Sequence, residues 1–123
     1  RRELFRPFAP VVLKEKQTEW FKSDYFNQYM SSIVDVIETK RNKVPAITHT
    51  DGTARIQTVD ESTNLKLTYL INEFYKITKV PILLNTSFNE NEPIVAKPEE
   101  ALDCLLRTNL DFLVMNNYLI TKN

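Results

Sequence analysis

The chain is 123 residues long, 42% hydrophobic and 26% charged, and its sixteen basic and sixteen acidic side chains cancel. This is enough for one globular domain with a real core. The charge balance implies no general affinity for nucleic acid or an anionic membrane surface, and no apolar run approaches the roughly 18 residues of a membrane span.

Charge clustering is still free to create a local anion site. The single cysteine, Cys104, excludes an internal disulfide and fits a reducing cytoplasm, which is the expected location. The chain opens on Arg1-Arg2-Glu3 without an initiator methionine, so a piece of a longer protein is expected.

In Leu4–Leu13, Pro7 and Pro10 forbid a helix interior and argue against a central strand before Val11. Val11-Val12-Leu13 can start a buried strand. Arg6 is set between Phe5 and Pro7-Phe8, a stiff apolar frame suited to an arginine that must hold still for an anion. Lys14–Phe26 predicts a short helix around Lys16–Phe21 and then a loop. Its aromatics Trp20, Phe21, Tyr25 and Phe26 read as core rather than as a platform for stacked bases.

Met30–Ile37 fits helical spacing, but the β-branched pairs Ile33-Val34 and Val36-Ile37 favour a strand. Glu38–Lys43 reads as a solvated basic connector. Val44–Val59 predicts a hairpin about Asp51-Gly52, with Gly52 the only glycine. A two-residue loop would pair Thr50 with Thr53, His49 with Ala54, Thr48 with Arg55 and Ile47 with Ile56. One face then carries Ile47, His49, Ala54 and Ile56. The other carries Thr48, Thr50, Thr53, Arg55 and Gln57, a donor cluster suited to a phosphate. His49 is either a satisfied core histidine or a site residue. One histidine and one cysteine cannot make the usual zinc site, so no metal site is expected.

Asn64–Lys79 predicts a helix whose stripe Leu67, Leu70, Ile71, Phe74, Ile77 should be core. Lys76 and Lys79 suit its C-terminal end, and Pro81 stops it. Pro81–Leu84 reads as a buried strand. The chain then turns abruptly polar over Asn85–Pro93, bringing several hydrogen-bonding groups to one sheet edge, where open α/β sheets bind ligands. Pro98–Leu106 predicts a second helix, with Ala101, Leu102, Leu105 and Leu106 buried and Cys104 beside them. Phe112–Met115 and Tyr118–Ile120 read as strands around an Asn116-Asn117 turn. The sum is a mixed α/β (α+β) fold in one domain, 1–123.

Three stretches together, Arg2–Pro10, His49–Val59 and Pro81–Asn89, resemble the C-terminal domain of the nodulation and antibiotic O-carbamoyltransferases, in order and approximate spacing. The resemblance covers essentially the whole chain. It implies a YrdC-like α/β fold, a twisted mixed parallel/antiparallel sheet with helices, lying behind a larger domain related to the tRNA-modification ATPases. It also implies a two-step reaction. The YrdC-like domain would form carbamoyl adenylate from carbamoyl phosphate and ATP, with magnesium accompanying ATP. The other domain, which holds iron in the family and is absent here, would pass the carbamoyl group to a small-molecule hydroxyl.

By matching positions, Arg6, Arg55 and Ser87 look like the carbamoyl-phosphate and adenylate contacts, with Arg2, Thr53, Asn85 and Asn89 as further binding residues. Ser87-Phe88-Asn89 resembles the Ser-x-Asn element of YrdC proteins, and Arg2 the arginine of their Lys-x-Arg element. That lysine would fall one position before Arg1, so the expectation is a domain lacking its N-terminal part. The family usually has glycine where Lys79 stands and near Asn91-Glu92, which puts the turn geometry there in question. Ser87 has no histidine beside it in sequence and reads as a donor rather than a hydrolase nucleophile. The competing readings are a nucleotide- or RNA-binding module without turnover, and a structural fragment whose partner is the rest of its own polypeptide.

Overall fold

The computed structural model describes residues 8–85, 111–115 and 118–121. The chain divides into two units. In the first, the described elements are β1 (Ala9–Leu13), a 3-10 turn (Lys14–Lys16), α1 (Gln17–Trp20), β2 (Ser32–Asp35), 3-10 helices at Glu38–Lys43 and Pro45–Ile47, β3 (Thr53–Val59), α2 (Leu65–Thr78) and β4 (Ile82–Asn85). The second holds β5 (Phe112–Met115) and β6 (Tyr118–Thr121), antiparallel with Met115 opposite Tyr118. These are the two strands expected there. The Asn116-Asn117 turn and the Pro98–Leu106 helix lie outside the described residues.

The main sheet has the order β2-β3-β1-β4. β1 runs parallel to β3 and antiparallel to β4, while β2 is antiparallel to β3. The fold is therefore α+β with a mixed sheet. No helix among the described residues is long and apolar enough to cross a membrane.

β1 is central, and it begins at Ala9, two residues before the predicted start. Leu13 N–H donates to the Pro81 carbonyl. By antiparallel alternation, the pair Pro10–Leu84 is then a non-hydrogen-bonded one. The missing N–H of Pro10 faces β3, whose register with β1 starts only at Val11–Gln57. The strand thus absorbs its proline without losing a ladder bond.

Two cores flank the sheet. Val12, Ala54, Ile56 and Ile82 pack on one face with Trp20, Phe21, Val36, Val44 and Ile47. Val11, Leu13 and Val59 pack on the other with Ile71 of α2, beside Leu67 and Leu83. Trp20 and Phe21 are core as expected, but Tyr25 is exposed. The loop after α1 is held by a buried polar cluster. Thr58 Oγ1 donates to Gln17 Oε1 at 2.6 Å and accepts from Asn27 N–H at 3.1 Å, while Gln17 Nε2 donates to the Ser23 and Tyr25 carbonyls.

The 44–59 hairpin does not form. Pro45 starts a helical turn instead of a strand, and β3 takes β2 and β1 as neighbours. Thr48 therefore does not face Arg55; Ile33 of β2 does. A tight turn does form there, but His49 rather than Thr50 bonds Thr53, so the expected two-residue loop is corrected to three residues, Thr50-Asp51-Gly52. Gly52 has φ 87°, its N–H reaches the His49 carbonyl, and His49 N–H reaches the Thr53 carbonyl. His49 is exposed rather than part of the apolar set. The 38–43 connector is a 3-10 helix in which Arg41 is half-buried, its Nε–H donating to the Val36 carbonyl at 3.0 Å.

α2 starts where Asn64 caps it, its side chain accepting from Leu67 N–H at 3.0 Å. It ends at Lys79, whose φ of 65° puts a lysine in the left-handed region. The expectation that its whole stripe is core is corrected. Ile71 is buried, but Leu70 is 56% and Ile77 83% exposed. Likewise β4 is an edge strand among the described residues: Ile82 is buried while Leu84 is half exposed.

Candidate functional site

Strand alternation decides which side chains share a face. Since Val59 packs under α2, Gln57, Arg55 and Thr53 lie on that same face, progressively farther from the Val59 end. Register adds Asp35 opposite Thr53 and Ile33 opposite Arg55. Ala9 lies on this face with Val11, and Asn85 is opposite Ala9. α2 packs on β1 and β4, and Arg55 is exposed. The result is an open polar area on one sheet face: Thr53, Arg55, Gln57 and Asn85.

Asn85 Nδ2 donates to Gln57 Oε1 at 2.6 Å. β4 and β3 lie on opposite sides of β1, so this bond reaches over β1, a span of about 9–10 Å between strands two apart. Ala9, with only a methyl group, leaves room for the two amides to meet. The bond ties the two amides together, with Asn85 Nδ2 also 3.8 Å from Met30 Sδ, and leaves Asn85 Oδ1 and Gln57 Nε2 without a hydrogen bond among the described residues. Thr53 is fixed differently. Its hydroxyl donates to Asp51 Oδ1 at 2.7 Å, and its N–H reaches the same oxygen at 3.1 Å. These bonds, the hydroxyl's first, hold the Asp51 carboxyl below its ordinary value near 3.8. The hydroxyl proton of Thr53 is committed, so toward a ligand Thr53 offers only lone pairs.

Arg55 makes no ion pair or hydrogen bond among the described residues. On its own strand it stands between Thr53 and Gln57, with Ile33 directly across and Asp35 on the diagonal, opposite Thr53; among the described residues no carboxylate comes within ion-pair distance of it. A planar fork in such a setting is suited to two oxygens of a phosphate or carboxylate. Among the described residues no cluster of three acidic, histidine or cysteine side chains could hold a metal ion.

Thus Thr53, Arg55 and Asn85 come together on one face. Arg2, Arg6, Ser87 and Asn89 lie outside the described residues. Sequence reading missed the bridge between Asn85 and Gln57, which depends on two strands becoming second neighbours. It also missed Arg41. The guanidinium of Arg41 lies so close over Gly52 that a Cβ there would run into its Cζ and sit 2.6 and 2.7 Å from its terminal nitrogens. The lone glycine was the available signal, since it marks both a turn and a close approach.

The profile for the carbamoyltransferase C-terminus matches residues 1–122. The chain belongs to the carbamoyltransferase C-terminal family. It is 50% identical over 126 residues to nodulation protein NolNO of Sinorhizobium fredii, covering 99% of this chain and 18% of that protein. With nodulation protein NolO of Bradyrhizobium diazoefficiens it shares 48% identity, covering 99% of this chain and 23% of that protein. Nodulation protein U of Azorhizobium caulinodans is 40% identical over 89 residues, 72% of this chain and 16% of that protein. This carbamoyltransferase C-terminus therefore spans about a fifth of the length of the curated relatives it matches.

Proposed function

We propose that this chain is the part of an O-carbamoyltransferase that binds carbamoyl phosphate and ATP and forms carbamoyl adenylate, for transfer to a small-molecule hydroxyl by the rest of the polypeptide. The observation that carries the reading is the Arg55 guanidinium, exposed and without an ion pair among the described residues, on a sheet face beside the linked Gln57 and Asn85. Family membership supports the carbamoyl chemistry. By the motif resemblance, Arg2, Arg6, Ser87 and Asn89 are further candidate contacts for the carbamoyl phosphate and the adenylate.

The chemistry asks for such donors. Carbamoyl phosphate gives up inorganic phosphate to water, leaving carbamate. A carbamate oxygen then attacks the α-phosphorus of ATP, the bond to the β-phosphate oxygen breaks, and pyrophosphate leaves. Attack of the acceptor hydroxyl on the carbamoyl carbon releases AMP, and the hydroxyl proton is lost. Negative charge builds on non-bridging phosphate oxygens during adenylation, where fixed guanidinium and amide donors act. Magnesium would arrive with the triphosphate. One charge-assisted bond lost from a phosphate is worth about 1.5–3 kcal/mol, roughly tenfold or more in rate or affinity.

The test is Arg55→Ala in the longer polypeptide, read by carbamoyl-phosphate-dependent exchange of labelled pyrophosphate into ATP. At least a tenfold loss is expected, with circular dichroism unchanged. Arg55→Lys should recover only part of it, because an ammonium cannot grip two oxygens as a fork does. Wild-type exchange in a folded Arg55→Ala protein would remove the assignment.

A further inference from the structure

We infer that the outer edge of β4 is a docking slot for a β-strand from the rest of the longer polypeptide. This rests on the edge of the sheet and is independent of the carbamoyl chemistry. Among the described residues β4 pairs only with β1. The alternation that makes Pro10–Leu84 and Val12–Ile82 non-hydrogen-bonded pairs turns the N–H and C=O groups of Ile82 and Leu84 away from β1. No backbone partner meets them there among the described residues. A row of backbone groups turned outward from an edge strand is a template for a further strand.

The walls of the slot agree. An apolar groove of about 530 Å³ runs along β4, with Ile82, Leu83 and Leu84 at its floor, Phe74 of α2 on one side and Val44 and Pro45 on the other. Leu70 and Ile77 stand one helical turn either side of Phe74, in one row. That row is rotated away from Ile71 toward the groove. α2 therefore carries its apolar stripe past the last strand instead of stopping above it. Such an overhang has no use over water, and Leu70, Ile77 and Leu84 are left more than half exposed. A further strand, about 4.8 Å beyond β4, would meet the free backbone groups and lie under Phe74 and Ile77.

The occupant is chosen by length. About four-fifths of each nodulation relative lies outside the matched region, and a segment of the same polypeptide is held at high effective concentration beside the slot. It should be an apolar strand, alternating large side chains toward Phe74 and toward Val44.

The test uses the longer polypeptide with a photo-crosslinking phenylalanine derivative at position 84, at position 77, and at the exposed control Glu61. Peptide mapping should find crosslinks from 84 and 77 to residues preceding Arg1, at least several-fold above the control. Amide exchange at Leu84 should be slowed at least about a hundredfold against the unstructured rate. Crosslinks that map within residues 1–123, or to a second copy, overturn the inference. So does unprotected exchange at Leu84, whatever the crosslinks show.

Discussion

Gly52 supports a quantitative prediction. Gly52→Ala asks a side-chain-bearing residue to hold φ 87°, a left-handed conformation that costs about 1–2 kcal/mol. The new methyl also collides with the Arg41 guanidinium. The far end of an arginine can move, but this one is tethered by its Nε–H to the Val36 carbonyl. Giving way means losing a charge-assisted bond, about 1.5 kcal/mol at the lower end because water can replace part of it. The total is about 3 kcal/mol. In an Arg41→Ala background only the conformational part remains, so the two substitutions should couple by about 1.5 kcal/mol, close to tenfold in an opening constant. The lower unfolded-chain entropy of alanine acts equally in both backgrounds and drops out of that difference. The reporter is the Val36 amide, which donates to the Gly52 carbonyl at 2.9 Å. Its exchange rate, measured in all four proteins, gives the cycle directly. Equal effects of Gly52→Ala with and without Arg41 would refute the clamp.

Three other outcomes follow from single contacts. Lys79→Gly should stabilise the end of α2 by about 0.5–1 kcal/mol, read from amide exchange over its last turn, because glycine holds the left-handed cap without strain; a loss of protection would contradict the strain. Thr58→Val should destabilise by about 2–4 kcal/mol, since it leaves both Gln17 Oε1 and the Asn27 N–H without their partner in a buried place, and unfolding midpoints should show it. Asp51 has a folded pKa lowered by Thr53, so the turn's extra stability is present above the unfolded value near 4 and is lost as pH falls through the lower folded value. Carbon-13 titration of the Asp51 carboxyl should place its midpoint below 3.8, and Thr53→Ala should bring it back up.

Much of the fold was legible wherever a local signal did the deciding. The 3.6-residue period and Pro81 marked α2, and the β-branched pairs marked β2. The 44–59 region failed for an identifiable reason. Asp51-Gly52 does encode a tight turn, but a turn does not say which strand lies beyond it. Pro45 broke the near arm, and β2, from farther back in the sequence, took its place. The apolar stripe of α2 misled in a similar way, because periodicity reveals a face and not what covers it. Of the candidate site, the face that Thr53, Arg55 and Gln57 share could be read from alternation within one strand. The bridge from Gln57 to Asn85 could not, since it exists only once β1 has slipped between β3 and β4.

That insertion also sets a timetable. β1 leaves the ribosome well before its parallel partner, which lies more than forty residues later, Val11 meeting Gln57. At about 5–20 residues per second, Val11-Val12-Leu13 waits several seconds as a sticky, unmatched ribbon. A slow codon tract or chaperone site upstream of β3 would lengthen or shelter that interval, and the yield of properly made protein should respond to it.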